Sequence, residues 1–256
     1  MIPRMSTQDR ALIQVVSKTI SIIVVLSKGP KTARELSEMT AISKPGVYRI
    51  LHSLELGNFV SQKNSQREFG LTPYFYALTK KETEKYDRLI SIALPHLISL
   101  NNKFDETINL GLIINKRVNY LYCIESSQRL RSGNPMHDKD FIHSTALGKA
   151  FLSGMNKAKG QALIERLDFR KLTPRTVDTP EELEKLIVGI QKAGYAIDDQ
   201  ENEIGSRCVA VPIFNSEQEP IAALSISGPV SRMDAEKIKI IGRSLKTTAK
   251  AISSNL

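Results

Sequence analysis

The chain has little of what covalent catalysis and metal binding draw on. Its 256 residues include two cysteines, Cys123 and Cys208, and four histidines. Two cysteines are too few for a disulfide framework. They fit a reducing compartment, where each serves as a small buried hydrophobe. His52, His96, His137 and His143 show no metal-ligand spacing among themselves or with the cysteines, so no metal is expected. No glycine-rich phosphate loop follows a strand-like run. Neither Ser225 nor Ser227 sits in a nucleophile elbow, although a hydrolase using one of them with His143 can be drawn. No cofactor is expected, and the chain does not read as an enzyme. Long apolar runs are missing too. The longest, residues 20–26, falls far short of a membrane span and has no small-residue cleavage site after it. A cytoplasmic protein with no membrane partner is expected.

What is present is a globular composition, 41% hydrophobic and 25% charged, which excludes a disordered chain. The length allows one large domain or two of medium size. Charge is unevenly spread. Residues 1–80 hold 11 Lys and Arg against 5 Asp and Glu, while residues 81–256 hold 25 against 22. Most of the formal net charge of +9 therefore lies in the first third. That excess favours a polyanionic partner, although many basic proteins have none.

The same third carries a pattern. Leu12, Val15, Val16, Thr19, Ile22, Ile23 and Leu26 recur at helical spacing over residues 8–28, and Gly29-Pro30 stops that helix. Thr32 is placed to cap a second helix over residues 33–39, with Glu35 completing a capping box and Leu36 and Met39 facing inward. Residues 40–42 turn the chain. Ser43 then caps a third helix that Gly57 ends. Two short helices across a tight turn make a helix-turn-helix pattern. In the third helix Val47, Ile50, Leu51 and Leu54 form the buried stripe. Lys44, Tyr48, Arg49 and His52 lie opposite, free to enter a major groove, where an Arg can take two guanine acceptors at once. That face equally suits plain solvation. Strand-like residues 59–62 and 68–71 flank the polar tip 63–67. A hairpin there is a wing, whose Lys63 and Arg67 can reach phosphates or a minor groove. With the hydroxyls of Thr32 and Ser43, these residues are the candidate DNA-binding set.

Downstream, residues 81–104 read as a linker helix with Leu89, Ile92 or Ala93, His96 or Leu97, Leu100 and Phe104 on one side. Pro95 should kink or break it. Strands are expected over residues 107–114, 117–125, 195–198, 208–214 and 221–226, and helices over 144–155, 157–166, 180–193 and 233–253. Strands flanked by helices make an α+β domain. Ser144 or Thr145 can cap the helix that starts at Ala146. The N–H groups of Ala146, Leu147 and Gly148 would then form an anion-holding helix end. Cys208 and Ser225 equally suit packing on an inner strand face. Asp198 does not, because a carboxylate near a core needs a partner.

The run Ala33-Arg34-Glu35-Leu36-Ser37, followed by residues 43–51, resembles the start of isocitrate-lyase-regulator (IclR) transcription regulators. His143-Ser144-Thr145-Ala146-Leu147-Gly148-Lys149-Ala150 is similar to that family's His-x-x-Ala-x-Gly-Lys segment. Residues 194–199, 201–205, 207–212 and 223–229 are similar to its C-terminal signature, in order. One departure stands out. The third helix begins Ser43-Lys44-Pro45-Gly46 where the family usually has Ser-Lys-Ser-Thr. Proline is tolerated in a first turn, but Gly46 lowers helix propensity and a hydroxyl is lost. The resemblance implies a winged helix-turn-helix over residues 1–80, a linker helix over 81–104 and a GAF-like effector-binding domain over 105–256. It implies a pocket of Ala146, Leu147, Asp198, Cys208, Ser225 and Ser227. Arg129, Ser132, Asp140 and Ser206 stand where apolar versions of the family carry hydrophobic residues, so the pocket is expected to be polar.

The expectation is a ligand-responsive regulator that represses a catabolic operon. Its partners would be double-stranded operator DNA with an inverted repeat, a small hydroxylated organic acid or sugar acid, and further copies of itself in a homodimer or homotetramer. The competing reading is a ligand-sensing or enzymatic protein whose helix-turn-helix serves protein contacts.

Overall fold

The structure is a computed structural model that describes residues 13–63, 67–133 and 139–256. The chain divides between Glu84 and Lys85 into two compact units. The first contains α1 (Gln14–Leu26), β1 (Lys31–Thr32), α2 (Ala33–Thr40), α3 (Lys44–Leu56), β2 (Val60–Gln62) and β3 (Glu68–Leu71). Leu12 and the rest of the expected first turn, together with tip residues 64–66 and His137, lie outside the described residues.

Local chemistry explains each start and stop. Thr32 accepts from the Glu35 N–H at 3.3 Å, and the Glu35 carboxylate accepts from the Thr32 N–H at 2.8 Å, so the capping box is formed. Ala41 takes a left-handed φ of 57°. That turn brings Ile42 back beneath α2, where its carbonyl accepts from Ser37 Oγ at 2.6 Å. Ile42 is buried and Met39 is exposed, which corrects the expectation that Met39 faces inward. In α1 the core takes Ile22, Val25 and Leu26, while Val15 and Val16 stay exposed, also against expectation. Helical spacing marked the stripe, but among the described residues the apolar cluster of this unit begins at Ile22. In α3 the core takes Val47, Ile50, Leu51 and Leu54 as expected.

Ser43 precedes α3 without capping it: its side chain makes no cap bond. Pro45, at the second helical position, has no N–H to give. Ser43 Oγ lies close over Gly46, 3.2 Å from where a Cβ would stand. The wing is a three-stranded sheet in the order β1-β3-β2. β1 pairs Lys31 with Phe69 and Thr32 with Glu68.

The helix expected from residue 81 begins earlier. α4 runs Pro73–Phe104, continuous through Pro95, which lies on its exposed side. Thr72 Oγ accepts from the Phe75 N–H at 3.2 Å, and Pro73 fills the first helical position, where a missing N–H costs nothing. Leu89, Ala93, Leu97 and Leu100 are its buried stripe. Each of the leucines contributes about 1.5–3 kcal/mol by leaving water.

The second unit is built on a six-stranded antiparallel sheet. Its strands are β4 (Thr107–Ile114), β5 (Arg117–Ile124), β6 (Lys139–Phe141), β7 (Ala196–Asp199), β8 (Ser206–Phe214) and β9 (Pro220–Pro229). They run in the order β6-β5-β4-β9-β8-β7. Alternation along the strands gives the sheet two different faces. Ile108, Leu110, Val209, Val211, Ile213, Leu224 and Ile226 pack against α4 and α8 (Ala235–Ser253) in one apolar core. Between them on the same strands stand Asn109, Cys208, Ala210, Ala223, Ser225 and Ser227, which face α5 (Ala146–Gly154). α6 (Lys157–Ile164) and α7 (Pro180–Ala193) complete this side, with Leu183, Ile187 and Ile190 of α7 in its core. Among the described residues no helix is long and apolar enough to cross a membrane.

Candidate functional site

Two features stand out, one in each unit. In the first, Lys44, Tyr48, Arg49 and His52 are all exposed on one side of α3, opposite its buried stripe. Thr32 is half-buried at the start of α2, and Ser43 is exposed at the start of α3 with its hydroxyl free of any cap bond. Lys63 and Arg67 flank the wing tip and are exposed. Arg67 has a φ of 58°, and the Lys63 N–H donates to the Glu68 carbonyl at 2.8 Å, which closes the hairpin. A basic helix face beside a basic hairpin is a surface for a polyanion.

In the second unit a cavity of about 370 Å³ opens between the sheet and the N-terminal end of α5. That volume lies within the range of small-ligand sites. Ser132, Ala146, Leu147, Asp198, Ser206, Cys208, Ser225 and Ser227 line it, with Asp140. Among the described residues of the loop after β5, Arg129 is exposed and stands outside this wall. Ser132 and Gly133 of that loop do reach the wall, and the Ser132 carbonyl accepts from Thr107 Oγ at 2.8 Å. The wall also holds residues that the sequence reading missed, among them Asn109, Tyr120, Asn202 and Glu203. Asn109 carried a signal in hindsight, as a polar residue set between Ile108 and Leu110.

Strand register builds the floor. Asp198 stands opposite Cys208, Cys208 opposite Ser227, and Ser225 opposite Asn109. All are brought to one face by the period of two. α5 provides the roof. Thr145, not Ser144, is its cap, accepting from the Gly148 N–H at 3.1 Å. Ser144 Oγ instead donates to Asn202 Oδ1 at 2.8 Å. The N–H groups of Ala146 and Leu147 open the helix, with no carbonyl a turn earlier to bond. Gly148 lets this end sit against the chain before it, because a Cβ there would overlap the backbone of Ile142.

The charges are arranged around Asp198. It is 2% exposed, and its Oδ1 accepts from the N–H groups of Glu201 at 2.8 Å and Asn202 at 3.3 Å. Burial pushes its carboxyl up to about 7, against the pull of the Lys149 ammonium. Lys149 is itself fully buried and ion-paired to Glu201. Burial likewise raises the Glu201 carboxyl, and its Oε2 has no partner. Cys208 is pushed up to about 12, by burial first and then by Asp198, so it stands as a neutral thiol. Tyr120 donates its hydroxyl to Asp140 Oδ2 at 2.5 Å, and burial followed by the Asp140 charge raises its pKa. His143 is not in the wall. It is 1% exposed beside Phe141 and Phe169, with Nε2 bonded to the Arg170 carbonyl at 3.0 Å. It therefore meets neither Ser225 nor Ser227 as a base. The arrangement suits binding of a small polar molecule.

Comparison with known proteins agrees across both units. Residues 83–254 match the C-terminal domain of bacterial transcriptional regulator IclR. Residues 22–82 match the sugar-specific transcriptional regulator TrmB. The HTH-type transcriptional regulator KdgR of Escherichia coli is 30% identical over 222 residues, 87% of this chain and 84% of that protein. The transcriptional repressor IclR of E. coli is 25% identical over 229 residues, 89% of this chain and 83% of that protein. The crystal structure of Thermotoga maritima IclR superposes with a TM-score of 0.71 at 28% identity, covering 96% of this chain and 99% of that one.

Proposed function

Because the chain belongs to the IclR family of bacterial transcriptional regulators, a family of regulators and not of enzymes, we propose that it represses a catabolic operon and responds to a small hydroxylated organic acid or sugar acid. The chain as a whole is an α+β protein with an N-terminal winged helix-turn-helix and a C-terminal effector-type domain. The observation that supports the effector class is the polar floor of the cavity. Asn109, Cys208, Ser225, Ser227 and Asp198 present hydrogen-bonding groups side by side on one face of the sheet. An aromatic acid offers few hydroxyls to such a floor, and unpaired buried polar groups are costly. The ligand's carboxylate is placed at the Ala146 and Leu147 N–H groups, on the positive end of α5. Its hydroxyls are placed on the floor, with Asp198 accepting.

On the DNA side, Lys44, Tyr48, Arg49 and His52 read the major groove. Thr32 and Ser43 bind phosphates, and Lys63 and Arg67 anchor the wing. A homodimer, or a tetramer of two such dimers, sets two α3 helices on the half-sites of an inverted repeat. The protein acts in the cytoplasm, where that DNA is. Effector binding changes operator affinity only if the ligand holds the two states with different affinity. A thermal-shift screen of hydroxy acids, aldonates and aromatic acids tests the effector class. Stabilisation by a hydroxylated acid is expected. A response confined to unsubstituted aromatic acids would refute it.

A further inference from the structure

The amide of Asn109 is only half used. Asn109 lies in β4, is 3% exposed and lines the cavity. Its Nδ2 donates to Ser227 Oγ at 3.3 Å, while its Oδ1 is buried with no hydrogen-bond partner. A buried carbonyl oxygen left bare is costly. Beside a cavity, that oxygen is free to accept from a molecule bound there. We propose that Asn109 is a specificity-determining residue of this cavity. In our reading its Oδ1 accepts a hydrogen bond from one effector hydroxyl while Asp198 takes another across the floor, so the cavity selects polyhydroxylated acids with well-separated hydroxyls over short ones. This rests on the effector reading above and names the part of that ligand class that fits.

The geometry supports the length argument. Asn109 on β4 and Asp198 on β7 are separated by β9 and β8, which puts their strands roughly 14 Å apart at about 4.8 Å per spacing. The Asn109 amide leans over β9, where it meets Ser227, so the gap that a ligand must span is narrower than the strand spacing. Asp198 Oδ1 is already engaged by two backbone N–H groups, and Ser225 and Ser227 lie between the two ends. A ligand that satisfies both acceptors needs hydroxyls well separated along its skeleton. A five- or six-carbon aldonate has them; a three-carbon acid does not.

The test is calorimetric titration of the full chain with D-ribonate, D-xylonate, D-gluconate, D-galactonate, glycerate and benzoate. It compares the unaltered protein with Asn109→Leu and Asn109→Ala, alongside melting temperatures without ligand. At least one aldonate is expected to bind the unaltered protein. Both variants should bind it tenfold or more weakly, and Asn109→Leu should melt no lower than the parent, since it removes a bare acceptor. Aldonate binding undiminished in both variants would overturn the role of Asn109 and leave the effector class standing. A lower melting temperature in both variants, with glycerate weakened as much as the aldonates, would make Asn109 a structural residue and also overturn it. Binding of benzoate alone by the unaltered protein would overturn the effector class itself.

Discussion

Asp198 and Gly148 show how single residues set this cavity. Burial holds the Asp198 carboxyl near 7 in the folded chain, against about 4 when unfolded. Between those values the unfolded chain has released a proton that the folded chain keeps, so stability falls as pH rises from about 4 to about 7. Asp198→Asn retains an oxygen for the Glu201 and Asn202 N–H groups and removes the titration. In urea unfolding the variant should gain on the parent between pH 5 and pH 7.5. A constant difference across that range would mean that another group carries the titration. Gly148→Ala forces a methyl group into the Ile142 backbone. It should cost about 1–3 kcal/mol or more, seen as a lower urea midpoint, and should displace the helix end proposed to hold the ligand carboxylate. An unchanged midpoint would show that this close approach is not needed. Neither residue's job was fully legible in the sequence. The motif around Gly148 was, as a helix start beside small residues. The contact with Ile142 was not, because it depends on how the chain before α5 folds back. Asn109 escaped notice because a polar residue between two apolar ones in a strand gains meaning only once the neighbouring strands are known.

Elements were easier to foresee where local chemistry decides them. The box of Thr32 and Glu35, the stripe of α3 and the alternation of β8 and β9 each stand in the sequence at their structural period. Short pieces held by tertiary pairing did not show: β1 is two residues long and β6 three, too few to carry a pattern. The start of α4 was readable as Thr72-Pro73 but was masked by the strand just before it. The two caps of the helix-turn-helix now separate. Thr32→Ala removes a formed capping box and should cost about 1 kcal/mol, whereas Ser43→Ala removes no cap bond and should stay within about 0.5 kcal/mol. Urea melts of the two variants check this, and equal losses would contradict it. If Ser43 binds phosphate, Ser43→Ala instead weakens DNA binding at unchanged stability. Arg49→Ala should weaken binding to the operator by about 1–3 kcal/mol if it reads a base with both donors. Undiminished footprint protection would exclude that role.

At the scale of the molecule, a basic DNA-type unit and a ligand-type unit share one helix, α4, within which the division at Glu84 falls. If α3 and the wing contact phosphates as proposed, operator affinity falls steeply with salt. Linkage requires that an effector which loosens DNA binding is itself bound less well by the DNA-bound protein, by the same factor. The central claim is that these two activities belong to one switch. The most direct measurement is fluorescence anisotropy of the full chain with DNA from its own promoter region, at two salt concentrations, with and without a saturating aldonate. The account predicts specific binding that weakens with salt and shifts fivefold or more when the aldonate is added. Binding no tighter than to random DNA, or the same affinity with the cavity filled, would contradict it.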